Sequence, residues 1–151
     1  MNSTDLTQAA VQPTYLAATA ARAPQKKTVL LVEDEAFLRE ITSDVIEAAG
    51  FTVYAAGNSK DAMSLFRKHG TTIDLLISDV SLPGRNGYDL AKEMRKSESA
   101  LEVVLISGHM WNTVARNRLR EKQMFYLPKP FSAADLLDKI EEVFDRARHC
   151  I

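Results

Sequence analysis

The stretch Val29-Leu30-Leu31-Val32-Glu33-Asp34 decides how this chain is read: four apolar residues in succession, then two adjacent acids. An apolar run this short and this continuous suits a strand covered on both faces, so a sheet sandwiched between helices is expected. The acids then stand where that strand leaves the core. Outward from it, residues 35–49 carry a helical pattern, and a second apolar run follows at 52–56. Further runs at 73–78, 103–106 and 124–127 bring the strands to five. Strands alternating with helices imply parallel pairing through crossover helices. Gly50 and Gly70 each follow a helix-like stretch, the place where a left-handed C-terminal cap favours glycine. The last helix is the clearest. Ala133, Leu136, Leu137, Ile140, Val143, Phe144 and Ala147 recur at helical spacing, and Ser132 with Asp135 has the form of a capping box.

The expected fold is α/β: a flavodoxin-like, doubly wound, five-stranded parallel sheet of order 2-1-3-4-5 flanked by five helices. Its switch point falls between strands one and three, where such sheets bind ligands. Glu33 and Asp34 close strand one, Asp79 closes strand three, Ser107 closes strand four and Lys129-Pro130 follows strand five. All five of Glu33, Asp34, Asp79, Ser107 and Lys129 should therefore meet at one sheet edge. Three crowded carboxylates repel one another and need a cation, and an all-oxygen ligand set favours Mg²⁺. Such a site can take a phosphoryl group.

A chain of 151 residues allows one domain with a real core. We expect a flexible leader over 1–27, rich in Ala, Thr and Gln, one domain over 28–148 and a short tail over 149–151. The formal net charge of -1, with acids and bases interspersed, lacks the basic footprint of a dedicated nucleic-acid binder. One cysteine, Cys150, cannot form an intramolecular disulfide, which fits a reducing compartment. The first 27 residues lack the pattern of a signal peptide and no apolar run approaches bilayer length, so a cytoplasmic location is expected.

The fragments Val32-Glu33-Asp34-Glu35, Ile77 to Gly84 (ISDVSLPG), Leu105-Ile106-Ser107-Gly108 and Leu127-Pro128-Lys129-Pro130-Phe131, in that order, make the chain resemble the receiver domain of two-component response regulators. The resemblance covers about 28–146. It implies that Asp79 is the phosphoacceptor, attacking a phosphohistidine donor to form an acyl phosphate. It further implies that Glu33, Asp34, Asp79 and the backbone carbonyl of Ser81 hold Mg²⁺, and that Lys129 and Ser107 contact the phosphoryl oxygens. Pro130 matches the family proline that follows a cis peptide bond and aims the lysine inward. Tyr126 matches the aromatic switch that moves into space vacated by Ser107. The implied partners are a histidine kinase or histidine phosphotransfer protein and a downstream protein target. That target would dock on the face of helix four, strand five and helix five, where Trp111, Arg116, Arg118, Arg120 and Lys122 lie.

Each residue also has a bland reading: Glu33 and Asp34 as a solvated strand end capping a helix, Ser107 as a turn hydroxyl, Lys129 as a surface lysine, Tyr126 as a packed aromatic. Taken together these require several coincidences at one edge. The chain departs from the family at Arg85, where an apolar residue is frequent, and at Lys122-Gln123, where a small Gly-Ala pair is usual. His109 and Ser81 flank the approach of a hydrolytic water and should tune the lifetime of the phosphorylated state. The leading expectation is a stand-alone phosphoacceptor switch, not an enzyme acting on other substrates, and the same residues serve a phosphorelay shuttle or phosphate sink. A metal-dependent phosphohydrolase is disfavoured because Glu35-Ala36 follows Asp34 where Asp-x-Asp would place the general acid. A phosphorylation-independent interaction module is disfavoured because every acid and the lysine are kept.

Overall fold

The computed structural model describes residues 26–108 and 113–149; the side chains of residues 113 and 114 lie outside that description. The expectations for the leader up to residue 25, for His109, for Trp111 and for Cys150 fall outside the described residues. The elements alternate as expected: β1 (Thr28–Val32), α1 (Ala36–Ala48), β2 (Thr52–Ala56), α2 (Ser59–His69), β3 (Leu75–Asp79), α3 (Gly87–Ser97), β4 (Glu102–Ser107), α4 (Thr113–Glu121), β5 (Phe125–Pro128) and α5 (Ala133–His149). The strands form one parallel sheet of order β2-β1-β3-β4-β5. This is the flavodoxin-like arrangement that the spacing of apolar runs predicts.

The apolar runs lack strict alternation because the sheet is buried on both sides. Leu30, Val32, Leu76, Val103 and Leu105 face one core with Phe66, Leu90, Met94 and Leu119 from α2, α3 and α4. Val29, Leu31, Leu75, Ile77, Val104 and Ile106 face a second core with Ile46 of α1 and Leu136, Ile140 and Val143 of α5. Fully burying each such side chain contributes about 1.5–3 kcal/mol, which makes the sheet a stiff base for whatever its edge carries.

Several details differ from the sequence expectation. The third strand begins at Leu75, not at Ile73, because the Asp74 carboxylate accepts the Thr28 N–H at 2.8 Å and its own N–H donates to the Thr28 carbonyl, bracketing the strand start. Strand five runs one residue further along the chain than expected, over Phe125–Pro128. Gly70 is not a left-handed cap: its φ is -51°, and the chain tightens into a 3-10 turn over Gly70–Thr72. Gly50 does take the left-handed conformation, with φ 103°. The capping box of α5 is present and reciprocal, each of the Ser132 and Asp135 side chains accepting the other's backbone N–H at 3.0 Å.

Candidate functional site

The register of the parallel strands stacks the candidate residues at the C-terminal edge. Asp79 pairs with Ile106, so Ser107 lies one residue beyond it on β4, and Ser107 pairs with Pro128, so Lys129 lies one residue beyond that. Val32 pairs with Ser78, which sets Glu33 beside Asp79 across β1 and β3. The lysine Nζ lies 2.7 Å from Asp79 Oδ2 and 3.3 Å from Glu33 Oε1. Carboxylate oxygens of Glu33, Asp34 and Asp79 all lie within 4.8 Å of one another.

Burial makes this cluster costly. Glu33 is 5% exposed, Asp79 7% and Ser107 2%, whereas Asp34 is open to solvent. Three carboxylates and one ammonium do not balance. The Glu33 carboxyl responds by holding its proton up to about pH 7, first because burial disfavours its charge and then through its hydrogen bond with Asp79, against the opposing pull of Lys129. Burial alone would lower the Lys129 pKa, but its hydrogen bond to Asp79 and the charges of Glu33 and Asp79 more than offset this and raise it. A site that buries excess negative charge among hard oxygens fits a small divalent cation such as Mg²⁺, and Glu33, Asp34 and Asp79 are the groups that can hold it. Two clefts among the described residues lie away from the acids. One of about 510 Å³ lies between the C-terminal parts of α2 and α3, and one of about 500 Å³ lies near the start of β5. Glu33 and Asp79 line a cavity of about 10 Å³ with Thr42, Phe131 and Lys129.

The loop after β3 is organised around Asp79. The Ser81 N–H donates to Asp79 Oδ1 at 3.0 Å, and the buried Ser78 hydroxyl donates to the Asp79 carbonyl at 2.9 Å. Gly87, the first residue of α3, is a site residue the sequence reading missed. A Cβ there would stand 2.3 Å from the Asp79 carbonyl oxygen and 2.8 Å from Ser78 Oγ, so only glycine lets α3 pack behind the acid. The available signal was Asn86-Gly87, since Asn86 caps α3 by accepting the Asp89 N–H at 2.8 Å. The reading of Glu33 and Asp34 as helix caps gains nothing from the structure: the cap position of α1 is Glu35, and it makes no side-chain cap bond.

Tyr126 sits half-buried on β5 and its hydroxyl donates to the Ser107 carbonyl at 3.4 Å. The Arg116 guanidinium lies 5.7 Å from its ring centre. Arg118, Arg120 and Lys122 are exposed. The Lys129–Pro130 peptide bond is cis, as the resemblance implies. At the departure from the family, Gln123 adopts φ 56°. Such a conformation costs a residue with a Cβ about 1 kcal/mol, and Arg95 braces it by donating to the carbonyls of both Lys122 and Gln123.

With this geometry in view, the family model for the response regulator receiver domain matches residues 29–141. The chain belongs to that family. The sensor kinase CckA of Brucella abortus is 32% identical over 119 residues, which cover 79% of this chain and 13% of CckA. The transcriptional regulatory protein PdtaR of Mycobacterium tuberculosis is 36% identical over 131 residues, covering 86% of this chain and 62% of PdtaR. The chain thus spans less than two thirds of either relative's length. Among solved structures, a response regulator receiver domain protein from Clostridium thermocellum superposes with a TM-score of 0.74 at 26% identity, covering 83% of this chain and 99% of that one. The receiver domain of the hybrid histidine kinase CckA superposes with a TM-score of 0.65 at 31% identity, covering 76% and 96%. No helix among the described residues of this receiver domain is long and apolar enough to cross a membrane.

Proposed function

We propose that this receiver domain accepts a phosphoryl group on Asp79 from a phosphohistidine donor and signals through protein contacts. The observation that carries the reading is the buried cluster in which Lys129 Nζ lies 2.7 Å from Asp79 Oδ2 while oxygens of Glu33, Asp34 and Asp79 lie within 4.8 Å of one another. In the transfer, an Asp79 carboxylate oxygen bonds to phosphorus as the P–N bond to the donor imidazole breaks. The electron pair returns to the imidazole nitrogen, which takes up a proton from solvent. Lys129 stabilises charge on the phosphoryl oxygens, the Ser107 hydroxyl donates to another, and the Ser81 N–H holds Asp79 in its orientation. Mg²⁺, when bound by Glu33, Asp34, Asp79 and the Ser81 carbonyl, supplies the remaining charge neutralisation.

The domain catalyses only its own phosphorylation and dephosphorylation, and works in the cytoplasm with a histidine kinase or histidine phosphotransfer protein. Phosphorylation adds three strong acceptor oxygens and raises the local negative charge, which draws Ser107 inward and lets Tyr126 follow. The face of α4, β5 and α5, with its exposed arginines, is the surface offered to a downstream protein. A shuttle or sink role uses the same chemistry.

Incubation with Mg²⁺ and a small phosphodonor, followed by intact mass spectrometry, tests the reading. The wild type gains one labile phosphoryl group, and Asp79→Asn gains none. An unmodified wild type points to an interaction module that does not use phosphorylation, and sustained phosphate release points to a hydrolase.

A further inference from the structure

Glu33 and Asp34 sit in the turn between β1 and α1, and α1 brings no side-chain cap to fix that turn. Two other bonds hold it. The Glu33 N–H donates to the Ala56 carbonyl at 3.0 Å, and the Glu33 carbonyl accepts from Arg39 Nη1 at 2.8 Å. Arg39 lies in the first turn of α1, where its own N–H donates to the Glu35 carbonyl at 2.9 Å, so the guanidinium reaches back from a fixed backbone. The guanidinium also lies against Gly57, the residue that follows β2. A Cβ at that position would meet Arg39 Nη1 at 2.9 Å, Cζ at 3.5 Å and Nη2 at 3.8 Å. All three of those atoms belong to the far end of one flexible side chain. A side chain at residue 57 would therefore displace the guanidinium while leaving the backbone where it is.

We propose that Arg39 and Gly57 form a positioning pair: Gly57 leaves the space in which the Arg39 guanidinium clamps the Glu33–Asp34 turn, and the clamp sets how tightly the acidic doublet binds a divalent cation. The proposal rests on the reading of Glu33 and Asp34 as Mg²⁺ ligands. Arg39 acts through the backbone of Glu33, in the way that outer groups hold metal ligands in their working orientation. Charge alone predicts the opposite sign. Removing a cation from beside an acidic site should tighten Mg²⁺ binding, whereas removing a clamp should weaken it.

The test compares the full chain with Arg39→Ala, Gly57→Ala, the double variant and Arg39→Lys. Three measurements are made: Mg²⁺ affinity by calorimetric titration, exchange of the Glu33 amide in metal-free protein by NMR, and thermal unfolding. Each single substitution to alanine is expected to weaken Mg²⁺ binding by about 10-fold. The double variant should be no weaker than Arg39→Ala, because both changes remove the same contact. Glu33 amide exchange should quicken in all three, the melting temperature should fall by no more than a few degrees, and Arg39→Lys should recover part of the affinity. Unchanged or tighter binding in Arg39→Ala overturns the proposal, as does a further full loss when Gly57→Ala is added to it. A wild type that takes up no Mg²⁺ overturns the ligand reading together with the proposal. A wild type that binds Mg²⁺, with unaltered Glu33 exchange in the variants, overturns the clamp alone.

Discussion

The two edges of the sheet treat charge in opposite ways. At the N-terminal edge Asp74 has ordinary partners: it accepts the Thr28 N–H at 2.8 Å and lies 4.0 Å from Lys27 Nζ. Arg95 spends its donors on the carbonyls of Leu101, Lys122 and Gln123. At the C-terminal edge, Glu33, Asp34 and Asp79 crowd together with one ammonium between two of them. Evenly matched charge is what stability alone produces. An excess kept in a buried place costs stability and marks chemistry.

The largest effect should come from removing the ammonium that contacts Asp79. Lys129→Met should slow phosphoryl transfer to Asp79 by about 100-fold or more, as loss of one charge-stabilising group does elsewhere. A phosphorylation time course by mass spectrometry reads the effect, and a rate within a few-fold of wild type would separate Lys129 from the reaction. Gly87→Ala comes next. It drives a Cβ into the Asp79 carbonyl, so about 2–3 kcal/mol of stability should be lost in chemical denaturation, together with reduced phosphorylation. Equal stability and activity would show that α3 can retreat from the site at no cost.

At the quiet edge, Arg95→Ala should cost about 1–2 kcal/mol through its lost hydrogen bonds while leaving phosphorylation unchanged. A loss of phosphorylation there would mean that the edges are coupled. The last test concerns pH dependence. Glu33 holds its proton more tightly folded than unfolded, so in metal-free protein its contribution to stability is full below pH about 4.5 and is lost as pH rises through about 7. Glu33→Gln cannot ionise, so wild type should lose stability relative to it as pH rises from about 4.5 to about 7. Thermal melts of both proteins in a chelator measure this, and a constant gap would contradict it. Mg²⁺ competes with that proton, so its affinity should rise over the same range.

Most of the site was legible because parallel strands end in acids, hydroxyl and lysine at successive positions of the chain. Apolar runs located the strands, and their ends located Glu33, Asp79, Ser107 and Lys129. Gly70 was misread because a glycine after a helix suits several conformations, and only the 3-10 turn that follows selects one. Gly87 and Arg39 escaped notice for a different reason. What they touch, the Asp79 carbonyl and the Glu33 carbonyl, is backbone, and backbone carries no residue-specific signal in a sequence.

By itself the sequence determined the order of strands and helices, the two-sided burial of the sheet and the identity of the groups that gather at its edge, because periodicity and punctuation are local properties. Only the tertiary structure decided how far the charges stand from one another, that Glu33 is buried while Asp34 is not, and that Gly57 lies against Arg39. Those facts depend on packing between segments distant along the chain, where burial and distance together set the strength of every electrostatic interaction.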